Sequence, residues 1–134
     1  MSEPFILGVN YWPRRKAMSW WSDFDKGEVD DEFALIKSYG MTLVRIFLLW
    51  DDFQKSPDSI SSKALSDLET VFEIAEKHSL KLDVTFFTGH MSGPNWAPGW
   101  SLEGSPLAGA RKLVCGGQIV NSSYLNPFHN PLMI

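Results

Sequence analysis

A single cysteine, Cys115, stands among the 134 residues, so no disulfide closes within the chain and stability has to come from a buried core. Its sequence neighbours include two glycines and no group that would activate a thiolate, which makes it a reduced, structural cysteine. Basic charge is also scarce: 12 Lys and Arg face 16 Asp and Glu, for a net charge of -4. The one basic block, Arg14-Arg15-Lys16, is too short to track a phosphate backbone, which argues against a nucleic-acid partner. No apolar run approaches the roughly 20 residues that span a bilayer, so no membrane role is expected. Met1-Ser2-Glu3-Pro4 leads straight toward the first apolar segment without a basic and apolar leader, so the chain as written is expected in the cytoplasm. The three histidines, His78, His90 and His129, lack metal-binding spacing, and neither a metal nor a cofactor is expected.

Against these absences, 44% hydrophobic and 21% charged residues fit a globular domain with a real core. Aromatics reach 13% and include six tryptophans, at positions 12, 20, 21, 50, 96 and 100, all in expected loops or strand ends. A tryptophan used only for packing more often lies inside an element, so these suggest a surface.

Three apolar runs each end at aromatic and polar residues. Phe5-Ile6-Leu7-Gly8-Val9-Asn10 leads into Tyr11-Trp12-Pro13, and Thr42 to Leu48 leads into Leu49-Trp50-Asp51-Asp52-Phe53. The run Leu80 to Phe87 leads into Thr88-Gly89-His90-Met91-Ser92-Gly93-Pro94-Asn95-Trp96. Two helical patterns lie between them. The first, from Glu28 to about Tyr39, repeats Val29, Phe33 and Ile36, carries acids in its first turn and meets Gly40 at its end. The second runs from about Ser62 to His78, with Leu65, Leu68, Val71, Phe72 and Ala75 as its apolar side.

Strand and helix alternate with long loops after strands and short returns after helices, the pattern of an α/β (β/α)8 TIM barrel whose site lies at the C-terminal strand ends. A doubly wound sheet shares the alternation, but no Gly-x-Gly-x-x-Gly turn follows the first strand. Three strands and two helices are less than half of a barrel, which needs about 250 residues. Residues 1–134 are therefore expected to be the N-terminal portion of one barrel domain, truncated before its fourth strand. Beyond Gly93, many Pro, Gly, Ser and Asn residues and no helical period lead us to expect a long loop up to Ile134.

Side-chain parity predicts the chemistry. Val44, Ile46 and Leu48 form the set facing helices, which turns Leu43, Arg45 and Phe47 toward the barrel axis. On the third strand Leu82, Val84 and Phe86 face outward, and Asp83 and Thr85 share the inner surface with Arg45. Arg45 then serves either as a structural ion-pair member or as an anchor for a carboxylate. His90 reads as a loop-packing residue or as a donor to a sugar hydroxyl. Asp51, Asp52, Asp23 and Asp25 read as helix caps or turn formers rather than a catalytic pair. Tryptophans at strand ends suit pyranose rings, whose C–H faces stack on indole while their hydroxyls meet Asn and Arg; covering the barrel mouth is the alternative.

Three segments in order, Gly8-Val9-Asn10-Tyr11-Trp12, Val44-Arg45-Ile46-Phe47-Leu48-Leu49-Trp50 and Thr88 to Trp96, resemble the clan A glycoside hydrolases, nearest the family 5 cellulase and mannanase group. The resemblance implies retaining hydrolysis of β-linked saccharides such as β-mannan or β-glucan. One glutamate after strand four is then the acid and another at strand seven the nucleophile. Neither strand is expected in this sequence, so the chain alone is expected to be inactive. Arg45 matches the family's strand-two arginine, and His90 approximately its strand-three histidine, both supporting residues. Asn10, Tyr11, Trp12, Trp50, Asn95, Trp96 and Trp100 are the expected saccharide-binding residues. A non-catalytic carbohydrate-binding module and a β-galactosidase or β-mannosidase type of the same clan are the alternatives. An open part-barrel exposes an edge strand and its inner face, so self-association is expected of the chain alone.

Overall fold

The computed structural model describes residues 5–88, 98, 102–107, 110–115 and 118–121. Its elements in chain order are β1 (Gly8–Asn10), α1 (Lys26–Ser38), β2 (Leu43–Leu49), α2 (Trp50–Phe53), β3 (Gln54–Ser56), β4 (Ser59–Ile60), α3 (Ser62–Lys77), β5 (Lys81–Thr88), β6 (Leu102–Leu107), β7 (Ala110–Cys115) and β8 (Gln118–Asn121). They fall into two compact units, Met1–Phe47 with Ser62–Thr85, and Leu48–Ser61 with Phe86–Ile134.

The first unit is built from βαβ connections. The sheet runs β1-β2-β5 with parallel strands, and each parallel step demands a crossover, supplied by α1 and α3. Gly8 pairs with Leu43, Val9 with Val44 and Asn10 with Arg45. Glycine is required at the first pair, because a Cβ on Gly8 would stand 2.9 Å from the Leu43 Cβ. The expected fold class holds as an open part of a barrel: three parallel strands with their helices, and no closure among the described residues.

Alternation along β2 is as parity requires: Val44 and Ile46 are fully buried and Arg45 between them is exposed. Val29 and Phe33 of α1 and Ala64, Leu68, Val71, Ile74 and Ala75 of α3 complete the apolar layer. Leu65 and Phe72, expected on the buried side of α3, are each 45% exposed. Successive helical residues are turned by about 100°, which puts both at the flank of a stripe centred on Ala64, Leu68, Val71 and Ala75. Ile74 closes the other flank.

The helix ends follow local chemistry. Asp25 caps α1, its carboxylate accepting from the Gly27 N–H at 2.9 Å and the Glu28 N–H at 3.2 Å. The Glu28 N–H first, then that of Gly27, holds its carboxyl below the usual carboxylate range. Of the two roles expected for Asp25, helix cap or turn former, the cap is the one observed, and α1 begins at Lys26, two residues before the expected Glu28. Gly40 ends α1 at φ +78°, a left-handed position that glycine adopts without strain. Ser79 does the same after α3 at φ +53°, and the Lys37 ammonium donates to its carbonyl at 2.9 Å.

Trp20 and Trp21 correct the expectation that loop tryptophans mark a surface. They are 1% and 2% exposed, with ring centroids 3.9 Å apart. Trp20 also meets Tyr11 edge-on at 5.7 Å, and the Trp21 indole donates to the Phe47 carbonyl at 2.7 Å. The turn between β1 and α1 thus folds back as part of the core, a contribution that element periodicity cannot register.

The second unit departs further from expectation. β3 and β4 pair as a short antiparallel hairpin, with Gln54 opposite Ile60, and buried Phe53 accepts through its carbonyl from the Ser61 N–H at 2.8 Å. In place of a continuous long loop, β6, β7 and β8 form an antiparallel sheet. Cys115 pairs with Gln118, leaving only Gly116-Gly117 between them, a hairpin signal that the general Gly and Pro richness of the segment conceals. Pro106 lies on β6 at the sheet edge, inside a register shift between Glu103 and Leu107, where its missing N–H is tolerated.

Between the helices, Asp30 accepts from Lys77 Nζ at 2.6 and 2.9 Å and lies 2.6 Å from His78 Nε2. These contacts, Lys77 first and His78 second, hold the Asp30 carboxyl below its usual range. A depressed carboxyl stabilises the fold above its unfolded pKa, about 3.9, and loses that contribution as pH falls through the folded value. Asp30→Asn is therefore expected to lower the melting temperature at pH 7, with the gap from the unsubstituted chain closing as pH falls below about 4; thermal melts across pH check this.

Candidate functional site

Strand pairing brings Asn10 and Arg45 to one row of the inner face, since directly paired residues project to the same side. β5 extends the row. Arg45 Nε donates to Thr85 Oγ1 at 2.7 Å, and Asp83 Oδ2 is 3.9 Å from the same nitrogen. Arg45 and Asp83 are 44% and 55% exposed, so their pairing is screened and adds little stability. The expected grouping of Arg45, Asp83 and Thr85 is present.

An aromatic platform adjoins the row. The Arg45 guanidinium carbon lies 4.9 Å from the centroid of Phe47, within cation–π range. Phe47 in turn stacks on Trp12 at 4.8 Å and 9°. Trp12 is half-buried, so one indole face packs against Phe47 while part of the ring remains open to a ligand. Asn10 is exposed beside this group. The ensemble offers a fixed cation, an amide and an indole, suited to a ligand with hydroxyls on an apolar frame. Sequence parity marks Phe47 only as inward and apolar, so its place between Arg45 and Trp12 emerges from the structure.

Tyr11 belongs elsewhere. It is 4% exposed, meets Phe33 edge-on at 5.0 Å, and its hydroxyl donates to Glu32 Oε2 at 2.9 Å. Burial first, then the Glu32 carboxylate, pushes its phenol well above the ordinary value, so it stays protonated. Its expected saccharide contact is replaced by packing beneath α1, since its place after Asn10 turns it to the helix side. Trp50, in the other unit, donates through Nε1 to Gln54 Oε1 at 2.8 Å and is half-buried. His90, Asn95, Trp96 and Trp100 lie outside the described residues.

A cleft of about 290 Å³ opens at the start of α1, lined by Arg14, Arg15, Asp25, Gly27, Glu28, Asp31 and Glu32. Three of its carboxylates, Asp25, Glu28 and Glu32, have partners close by. Glu32 accepts from Tyr11 and from the Arg14 N–H, and Lys16 lies 3.3 Å from Asp23, 3.7 Å from Glu28 and 4.0 Å from Asp25. Among the described residues no three metal-ligating side chains gather.

Solved structures share this arrangement of strands and helices. A GH5_18 protein from Streptomyces cattleya, in complex with Manβ1-4GlcNAc, is 31% identical, with a TM-score of 0.68 over 70% of this chain and 23% of its own. GH5_18 from Bifidobacterium longum subsp. longum ATCC 55813 is 34% identical, with a TM-score of 0.67 over 69% of this chain and 22% of its own. The chain resembles glycoside hydrolase family 5, of clan A. The exo-β-1,4-mannosidase Op5Man5 from Opitutaceae bacterium strain TAV5 extends the likeness to 96% of this chain and 19% of its own, at 26% identity and a TM-score of 0.70. The chain thus spans about a fifth to a quarter of the family 5 structures it matches. No protein-family profile matches the chain, and no curated protein matches it significantly.

Tyr11 provides a direct check on how the family 5-like face is divided between packing and ligand. Tyr11→Phe is expected to cost about 1–2 kcal/mol in a urea unfolding experiment, the worth of a partly buried hydrogen bond to a carboxylate, whereas a ligand-facing hydroxyl would leave stability unchanged.

Proposed function

We propose that this chain forms the N-terminal portion of the catalytic barrel of a retaining β-glycosidase, acting on β-mannosyl or related β-linked saccharides. One observation carries the reading: Asn10, Arg45 and Thr85 align on the inner face of a parallel sheet beside the Trp12 and Phe47 stack. The structural neighbours are glycoside hydrolases, one in complex with a mannosyl disaccharide and another a β-1,4-mannosidase by name, which supports the substrate class.

In this reading Arg45 orients and keeps ionised the carboxylate that attacks the anomeric carbon, and Trp12 and Asn10 hold the sugar. The acid and the nucleophile, a pair of glutamates about 5–5.5 Å apart in a retaining enzyme, come from further strands. Exposed apolar side chains support a larger barrel around this part. Phe5, Ile6 and Leu7 are 89%, 55% and 45% exposed beside β1, and Leu35 on α1 and Tyr39 at its C-terminal cap lie open. Such edges also favour self-association of the chain alone.

The reading is tested by assaying the full-length polypeptide that carries this chain on 4-nitrophenyl β-mannoside and Manβ1-4GlcNAc, following the product anomer. Hydrolysis with retention is expected, and saccharide binding without hydrolysis would point to a binding module instead. In the same assay Trp12→Ala is expected to raise KM about two- to tenfold, the worth of one stacking contact, with kcat little changed.

A further inference from the structure

A guanidinium carries five N–H donors in a rigid planar fork, and the way they are shared decides what the group can do. On Arg45 one is spent: Nε donates to Thr85 Oγ1 at 2.7 Å. Asp83, at 3.9 Å from that nitrogen, is too distant for a hydrogen bond and acts only through its charge. Its central carbon lies over the Phe47 ring at 4.9 Å from the centroid, and Phe47 is itself stacked on Trp12. The group is thereby held through Nε and against an aromatic ring, and among the described residues the four Nη–H donors have no acceptor.

We infer that Thr85 is a positioning residue for Arg45, gripping the guanidinium by Nε so that its Nη edge stays aimed at a reacting-centre carboxylate. The reaction it serves rests on the glycosidase reading above. A hydroxyl suits the task better than a carboxylate. It takes the Nε–H without neutralising the cation or drawing off the Nη donors, as a bidentate aspartate would. Threonine also holds its oxygen more firmly than serine, because a β-branched side chain is stiff at χ1 on a strand. Asp83 lies on the same side of β5, two residues earlier, and adds a weak attraction toward the gripped edge.

Thr85→Val keeps the branched shape and removes only the acceptor, and Thr85→Ser restores a hydroxyl. In the full-length polypeptide, Thr85→Val is expected to lower kcat about tenfold with KM within about twofold, and Thr85→Ser to recover most of the loss. Wild-type kcat in Thr85→Val, a loss confined to KM, or no recovery in Thr85→Ser would overturn the inference. If the unsubstituted polypeptide hydrolyses no β-glycoside, the glycosidase reading falls by itself, and the Arg45 Nε–H resonance of the same full-length polypeptide decides the inference. A slowly exchanging signal in the unsubstituted chain and Thr85→Ser, lost in Thr85→Val, is the expected result; a signal unchanged in Thr85→Val overturns it.

Discussion

The register that sets Asn10 beside Arg45 decides which side chains of β2 meet the helices and which meet the inner face. A slip of one residue would reverse every one of them. Val44 and Ile46 would be turned to water, and the Arg45 cation would enter the layer formed with Val29, Phe33, Leu68 and Val71, at a cost of several kcal/mol. The apolar layer therefore holds the polar row in place. Arg45 makes few contacts of energetic weight itself and takes its position from the buried residues on either side of it in sequence.

The turn between β1 and α1 extends that dependence to the aromatic platform. Tyr11 and Trp12 are adjacent and point in opposite directions, one under α1 to Phe33 and Glu32, the other onto Phe47. Trp20 and Trp21 then close over the same strand ends, with the Trp21 indole bonded to the Phe47 carbonyl. Phe47 is thus fixed through its backbone on one side and its ring on the other. A site on flexible loops would lose geometry to conformational entropy; here the loop is part of the core, and the Trp12 face is presented by a packed support.

Much of this was legible in the sequence because it rests on period. The strands follow from predominantly apolar runs, the helices from spacing and end signals such as Gly40, and the meeting of Arg45 with Asp83 and Thr85 from the alternation of polar residues within those runs. What escaped lacks a period. Tyr11, Trp20 and Trp21 are buried by a turn whose folding back depends on tertiary contacts. Leu65 and Phe72 belong to the apolar pattern of α3 but sit at its flank, where exposure depends on what lies alongside. The β6–β8 sheet was hidden by Pro106 and the glycines, which signal breaks although a register shift and a two-residue connection accommodate them. Tyr11 shows how a motif misleads: adjacency to Asn10 and Trp12 suggested one surface, whereas neighbouring residues around a strand end face opposite ways.

In the proposed reading the charge inventory fits an inner face that orients a reacting group supplied from elsewhere. Glycoside cleavage needs one carboxyl to give a proton and another to attack. Among the glutamates with described side chains, Glu28 and Glu32 belong to the start of α1, tied to Lys16, Tyr11 and Arg14. Glu69, Glu73 and Glu76 are exposed on α3. Asp83 does face inward, but it is 55% exposed and lies 3.9 Å from the Arg45 Nε, whose charge it meets only across that distance. Among the described residues Arg45 has no close carboxylate partner and is gripped through Nε, which in the proposed reading leaves its Nη edge for an anion from elsewhere. On that reading the described face receives a carboxylate, and the exposed apolar side chains of the same unit are where the elements bearing it would pack.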